Sequence, residues 1–411
     1  MKDKNNKEKK TFKKREVVIL LVITFVVSMV LGFSISTITG VATKFNPDLR
    51  DNYYVSKDKH LKNFIYNYRY IVDNYYKKVN KEKLMDDAIS GMMKSLDDPY
   101  SVYMDEDESN SFNISLDGEY KGIGVQIAKD EEKKAMLVMY VFKDSPADKA
   151  GLKIGDYIIK LNNKDISDKT VTQFSDSILK SDKKDFKLTI VRDGEEKDVK
   201  VSKNNVVIDS VVSEIYERNN KKIGYLYISI FANNTPGQFQ KKLKELEDKR
   251  IDSLIIDVRD NTGGHLTCVQ TILESLLTKS QTTYQLKIGD KQSKYHGKAK
   301  SNKKYKIALI GNGNSASASE ILISSLMDNY DSKFFGEKTY GKGTVQELVT
   351  LTNGQQYKIT TKKWLTPKGI WINDTKGIKP TEEVKLDKKY LETHKEEDDN
   401  QLQHTLDYLA K

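Results

Sequence analysis

Three short stretches of this 411-residue chain carry side chains whose type and spacing could do chemistry. The first is GNSASASEI, between a strand-like KIALIG and a helix-like EILISSLMD. Small residues permit a tight turn there, and a hydroxyl at a helix start is exposed while nearby amides point toward incoming negative charge. Ser315, Ser317 and Ser319 compete for that role, and serines at such junctions also serve as ordinary helix caps. The second stretch is GEKTYGKGTVQ. Gly336 and Gly341-Lys342 imitate a phosphate-binding G-x-x-x-x-G-K, but Gly343 stands where a Ser or Thr should meet Mg²⁺, and a strand-like TVQELVTL follows instead of a helix. If 342–346 is extended, Lys342, Thr344 and Gln346 share a face. A lysine held there by a Gln amide and screened from water could lose its proton near neutral pH and act as a general base; a solvated surface lysine is the plain alternative. The third is the turn NTGG, Asn261 to Gly264, after SLIIDVRD. Its paired glycines let backbone N–H groups converge on an oxyanion, or simply make a tight turn.

Other chemistries find little support. The single cysteine, Cys268, excludes an intrachain disulfide and any multi-cysteine metal site, and its apolar surroundings suit core packing. His60, His265, His296, His394 and His404 have no partners at metal-ligand spacing, so neither a metal nor another cofactor is expected. The net charge of +10 is spread along the chain with no basic block interleaved with aromatics, which argues against nucleic acid.

These stretches need elements to hold them. Residues 205–387 alternate strand, loop and helix: IGYLYISI, then PGQFQKKLKELED; SLIIDVRD, then HLTCVQTILESLL; KIALIG, then EILISSLMD. That rhythm predicts an α/β domain with its site at strand ends. Residues 113–204 read differently, as short β runs punctuated by turns with a helix near 170–181, which predicts a small barrel-like module. Residues 45–112 carry apolar groups at three- and four-residue intervals and read as a helical arm, closed by Asp97-Asp98-Pro99. A charged, partly helical tail occupies 388–411. At the other end, residues 1–16 hold eight Lys/Arg against three Asp/Glu, and VVILLVITFVVSMVLGFSI follows with 19 uncharged residues. That pattern predicts a retained transmembrane anchor over 17–39, with the basic flank inside and the rest of the chain outside the cytoplasm.

Taken together, from about residue 62 to 382, the motifs resemble the carboxy-terminal processing peptidases, tail-specific Ser/Lys proteases that carry a PDZ domain. AISGMMKSLDDPYSVYM, GIGVQI with SPADKAGLKIGDYIIKLNNKDI, LIIDVRDNTGG, NGNSASASEI, GEKTYGKGTVQ and ITTKKWLTPKGIWIN…GIKP fall in the family's order. The resemblance implies an α/β peptidase core with an inserted PDZ-like β-rich domain and an N-terminal helical arm behind the transmembrane anchor. It selects Ser317, 25 residues before Lys342, as the nucleophile and Lys342 as the base. It makes Gln346 the lysine's support and the amides of Gly263 and Ala318 the oxyanion donors, with Gly264 beside them. It also makes Gly122-Ile123-Gly124-Val125 the loop for a substrate's carboxylate. Thr262 and Thr381 depart from the family's usual Pro and Asp. Expected partners are proteins or peptides with free C-termini, the lipid bilayer, and a second copy through the terminal helices. The rival expectation is a PDZ-type scaffold with a latent peptidase domain.

Overall fold

The computed structural model describes residues 57–351, 355–393 and 395–411. The expected anchor over 17–39 lies outside the described residues, as do 45–56 of the helical arm. Among the described residues no helix is long and apolar enough to cross a membrane. The chain divides into two units, 1–89 and 90–411. In the first, helix α1 (Lys59–Asn74) starts at Asp58, whose carboxylate accepts the amides of His60 at 2.7 Å and Leu61 at 3.2 Å. Its apolar stripe of Leu61, Phe64, Ile65, Tyr68 and Val72 has helical spacing, yet no residue of α1 is fully buried. Helix α2 (Lys81–Lys94) spans the boundary. Asp97 (φ 52°) and Pro99 then end the helical run, as the sequence predicts.

The second unit opens with β1 (Val102–Met104) and α3 (Glu106–Asp117). Asp105 and Glu108 cap α3 reciprocally, and Gly118, at φ 72°, closes it. A two-stranded stalk, β2 (Glu119–Gly122) against a returning β9 (Asn204–Val207), leads into the β-rich module and out of it. Inside the stalk lie β3 (Val125–Asp130), β4 (Ala135–Val141), the turn helix α4 (Pro146–Lys149), β5 (Tyr157–Leu161), β6 (Lys164–Asp165), α5 (Val171–Leu179), β7 (Asp185–Arg192) and β8 (Glu195–Ser202). The sheet order is β3-β4-β5-β7-β8, with β6 on β5. Met136, Val138, Ile158, Phe174, Ile178, Leu188 and Ile190 form its own core. Asn234 fixes the stalk to the next domain, donating to the carbonyls of Gly118 at 2.6 Å and Ile208 at 3.2 Å.

The remaining domain is a three-layer α/β structure. Its sheet starts with β10 (Val211–Arg218) and β11 (Lys221–Ile228), and α6 (Thr235–Asp248) carries the chain to β12 (Ser253–Asp257). After α7 (Leu266–Leu276) the hairpin β13 (Thr282–Ile288) and β14 (Lys291–His296) leaves for a second sheet. The chain returns as β15 (Lys306–Gly311), continues through α8 (Ala318–Tyr330) and re-enters as β16 (Lys333–Gly336). Next, β17 (Thr344–Thr350) and the long β18 (Gln356–Leu365) join β13, β14 and β1 in that second sheet. Last come the short α9 (Ile372–Thr375), β19 (Glu382–Glu383) beside β16, α10 (Lys388–Thr393) and α11 (Asn400–Ala410).

Period-two alternation sends the strand residues two ways. Leu254, Ile256, Ile307, Leu309 and Phe334 pack with α6, α7 and α8. Ile255, Ala308, Ile310 and Phe335 pack on Leu402, Leu406 and Leu409 of α11. The 388–411 segment is therefore more than the charged tail read from sequence. Its last helix supplies the sheet's second cover, because two-sided apolar strands need one. Cys268 is buried in α7, as expected.

Candidate active site

Ser317 stands between β15 and α8 with φ 55° and ψ −111°, a conformation that a side-chain-bearing residue adopts only when its surroundings enforce it. The enforcement is visible. The Ala316 amide donates to the Asn261 carbonyl at 3.0 Å, and the Ser319 hydroxyl donates to that same oxygen at 2.8 Å. The Ser317 amide donates to Glu320 Oε2 at 2.8 Å. Ser315 is fully buried, its hydroxyl spent on the Val258 carbonyl at 2.8 Å, and Ser319 is equally buried. Of the three serines that compete in the sequence, only Ser317 faces the cavity.

Glu320 joins the serine and lysine stretches. Its carboxylate, fully buried, accepts the Ser317 and Lys342 amides on Oε2 (2.8 and 2.9 Å) and the Gly341 amide and Thr339 hydroxyl on Oε1 (2.7 and 2.6 Å). Burial holds this carboxyl above its ordinary pKa while those four donors oppose the rise. The lysine stretch is pinned further along by Trp364 Nε1 on the Lys342 carbonyl (2.8 Å) and by the Gly343 amide on Asn373 Oδ1 (2.5 Å). A Cβ at Gly343 would lie 2.6 Å from Trp371 Nε1. The stretch enters β17 rather than a helix, so the phosphate-loop imitation ends where the sequence says it should.

Lys342 lines the same cavity of about 530 Å³ as Ser317, Gly263, Gly264, Ala318 and Gln346. Burial pushes its pKa down to about 8, the nearby charge of Lys358 acts in the same direction, and Asp98 and Glu320 oppose. The ring of Tyr100 lies 4.7 Å from its Nζ and shields one side. Tyr100 is held in a tight turn with Asp98, which accepts the Tyr100 amide at 3.1 Å and the Ser101 hydroxyl at 2.6 Å. Gln346 lines the same cavity as Lys342 and Thr344, but Lys342 precedes β17, the ladder shifts register between Val345 and Gln346, and the Gln346 amide nitrogen donates to Thr344 Oγ1 and Thr360 Oγ1, both at 3.0 Å. Those threonines, one on each strand, set its orientation.

The NTGG turn packs closely against Ser317. Gly263 has φ 112°, and a Cβ there would lie 3.0 Å from the Ala316 carbonyl and from Ser317 Cβ. At Gly264 (φ 137°) a Cβ would strike the Phe231 carbonyl at 2.4 Å. The Gly263 amide donates to Asn261 Oδ1 at 2.9 Å, so in this conformation it is already engaged. The turn is anchored from behind by a buried ion cluster. Arg259 bonds Asp257 at the end of β12 and Asp399 at the start of α11, with its guanidinium also on Gln401 Oε1 at 3.1 Å.

In the β-rich module, Gly122 to Val125 form the loop between β2 and β3, with Ile123 buried and Gly124 at φ 89°. The loop borders a small groove of about 70 Å³ between β3 and α5, lined also by Tyr120, Phe174, Ile178 and Leu179. Tyr120 packs on Gly122, and burial, opposed by a contact from the Gly124 amide, pushes its pKa up to about 12.

The sequence reading missed Glu320, Tyr100, His265 and Lys358. Ser317-Ala-Ser-Glu320 is a capping-box spacing, which could have flagged Glu320. Loop packing brings Tyr100 beside Lys342 and strand pairing brings Lys358 to the cavity, with no local spacing to announce either, whereas His265 directly follows the NTGG turn.

Known proteins are similar to this chain over most of its length. The model of peptidase family S41 matches residues 222–384, that of the activating protease CtpB N-terminal domain 34–108, and that of a PDZ domain 122–202. The chain is 38% identical over 322 residues to a carboxy-terminal processing protease, CtpB, of Bacillus subtilis, covering 77% of this chain and 66% of that protein. It is 32% identical over 368 residues to a probable CtpA-like serine protease of Staphylococcus haemolyticus, covering 89% and 72%. A putative S41 protease structure from Bacteroides fragilis shares the fold, at a TM-score of 0.50 and 18% identity, over 82% of this chain and 91% of that one. With a strained serine, a desolvated lysine and a glycine turn meeting in one cavity, the chain belongs to the carboxy-terminal processing proteases of peptidase family S41.

Proposed function

We propose that Ser317 and Lys342 are the nucleophile and base of this peptidase, and that it cleaves extracytoplasmic proteins near their C-termini while tethered by residues 17–39. The observation that carries the reading is the Glu320 carboxylate, which holds the backbones of Ser317 and Lys342 to one oxygen while Lys342 loses solvent. Neutral Lys342 takes the Ser317 Oγ proton as the oxygen attacks the scissile carbonyl. The Gly263 and Ala318 amides receive the oxyanion, the former once its bond to Asn261 Oδ1 opens. The Lys342 ammonium then gives its proton to the leaving amine and the C–N bond breaks. Lys342 next takes a proton from water, hydroxide attacks the acyl-enzyme, and Ser317 recovers its proton. Gln346, bonded to Thr344 and Thr360, ties β17 to β18 in the wall that also carries the lysine.

The PDZ domain is proposed to add the substrate's tail as a strand beside β3, with the carboxylate at Gly122–Val125. The terminal helices are proposed to mediate self-association. The engaged Gly263 amide favours a second reading, a latent peptidase that a partner or tail must open.

The test uses the full chain in detergent, a serine-reactive probe, and long substrates with free or amidated C-termini remote from the cut. Probe labelling and cleavage that vanish in Ser317→Ala and Lys342→Ala, with a preference for free tails, are expected. Labelling unaffected by Ser317→Ala would overturn the nucleophile. Labelling without cleavage would favour the latent reading.

A further inference from the structure

Peptide hydrolysis accounts for one lysine of the cavity, yet the wall holds two. Lys358 lies on β18 opposite Leu348 of β17, with Thr360, the partner of Gln346, two positions further along the same face. Its Nζ rests 4.9 Å from the Phe112 ring centroid. No carboxylate pairs with it among the described residues, and none lines the cavity. Nearby Lys362 and Lys368, by contrast, have Glu347 and Asp328. The wall also holds a buried His265 Nε2 with no hydrogen-bond partner.

Removing an ammonium from water without a counter-charge is costly, and burial accordingly pushes the Lys358 pKa down. The cost falls when an anion arrives. The cleft lining holds Lys342, Lys358, an unpaired imidazole nitrogen and backbone amides, while the carboxylates that act on Lys342, Asp98 and Glu320, lie outside that lining. Such a surface suits an incoming carboxylate. The Phe112 ring attracts the Lys358 ammonium weakly but carries no charge to neutralise it.

We propose that Lys358 is a subsite for a substrate carboxylate within the cleft, either the terminal α-carboxylate or an Asp or Glu side chain. This rests on the Ser317/Lys342 reading. Lys358 and Ser317 line one cavity, so the carboxylate falls within a few residues of the bond that is cut. A PDZ-bound tail, by contrast, lies in the groove beside β3.

The test compares the full chain, Lys358→Met and Lys358→Arg, with Ser317→Ala as control, on three matched peptides. One ends in a free carboxylate two residues past the scissile bond. The second is its C-terminal amide. The third is an amide with Asp in place of Asn at that position. The parent is expected to favour the first or third over the second by about ten- to hundred-fold in kcat/KM, the range of a charge-assisted hydrogen bond. Preference for the first alone identifies a terminal carboxylate, and preference for the third alone a side chain. Lys358→Met should abolish the ratio and Lys358→Arg should retain it. The charge of Lys358 also acts on Lys342, but that effect is common to all three peptides and cancels in the ratio. Equal cleavage by the parent, or a ratio unchanged in Lys358→Met, overturns the subsite and leaves the peptidase reading standing. Cleavage that persists in Ser317→Ala overturns that reading and the subsite with it.

Discussion

Replacing Lys342 by methionine removes the ammonium and keeps most of the side chain's length. A lysine pKa lowered from 10.5 to about 8 means that the folded protein holds this charge at a cost of about 3 kcal/mol. The contact with the Tyr100 ring returns about 0.5–2 kcal/mol, which the variant loses. Lys342→Met should therefore be more stable than the parent by about 1–3 kcal/mol at pH 6. The sign follows from proton binding. Below pH 8 both states hold the proton and the cost is full. Between about 8 and 10.5 the unfolded chain binds more protons than the folded one, so the parent gains stability as pH rises and the variant's advantage shrinks. Urea unfolding of both proteins at pH 6, 8 and 10 reads the difference from the midpoints, provided the slopes agree. Peptidase activity should be absent from the variant throughout. The parent's activity should rise through pH 8, with roughly 10% of Lys342 neutral at pH 7. A variant no more stable at pH 6, or a difference that ignores pH, would refute the claim that this ammonium is desolvated and poised as a base.

Glu320→Gln presents an amide N–H to donors that need an acceptor, and should lower stability by about 1–3 kcal/mol and abolish cleavage, checked by unfolding and peptide turnover. Tyr100→Ala admits water to Lys342, so its rate-versus-pH limb should move from about 8 toward the ordinary lysine value, while Tyr100→Phe keeps the ring and the limb. Asp399→Ala leaves Arg259 buried with one carboxylate fewer. It should cost about 3–5 kcal/mol in thermal or urea unfolding, and it should loosen the NTGG turn enough to slow probe labelling of Ser317.

By itself the sequence determined the order of the modules, the strand–loop–helix rhythm and the three candidate stretches. Period-two and period-3.6 apolar spacing is local, and glycines at Gly263, Gly264 and Gly341 announce turns wherever the chain later packs. Tertiary structure decided which serine is presented. Ser315 and Ser319 have the same local chemistry as Ser317 but turn inward to the carbonyls of Val258 and Asn261, residues more than fifty positions away. It likewise decided that the charged tail is a structural layer, since Leu402, Leu406 and Leu409 read as a weak stripe until a two-sided sheet requires a second cover. Lys342 illustrates the division most clearly. Its place among glycines can be read from the sequence, but its lowered pKa depends on burial and on Lys358, against the opposing Asp98 and Glu320, and these groups approach from separate parts of the chain. Desolvation and Coulomb interactions depend on distance in space, and sequence spacing does not contain that distance.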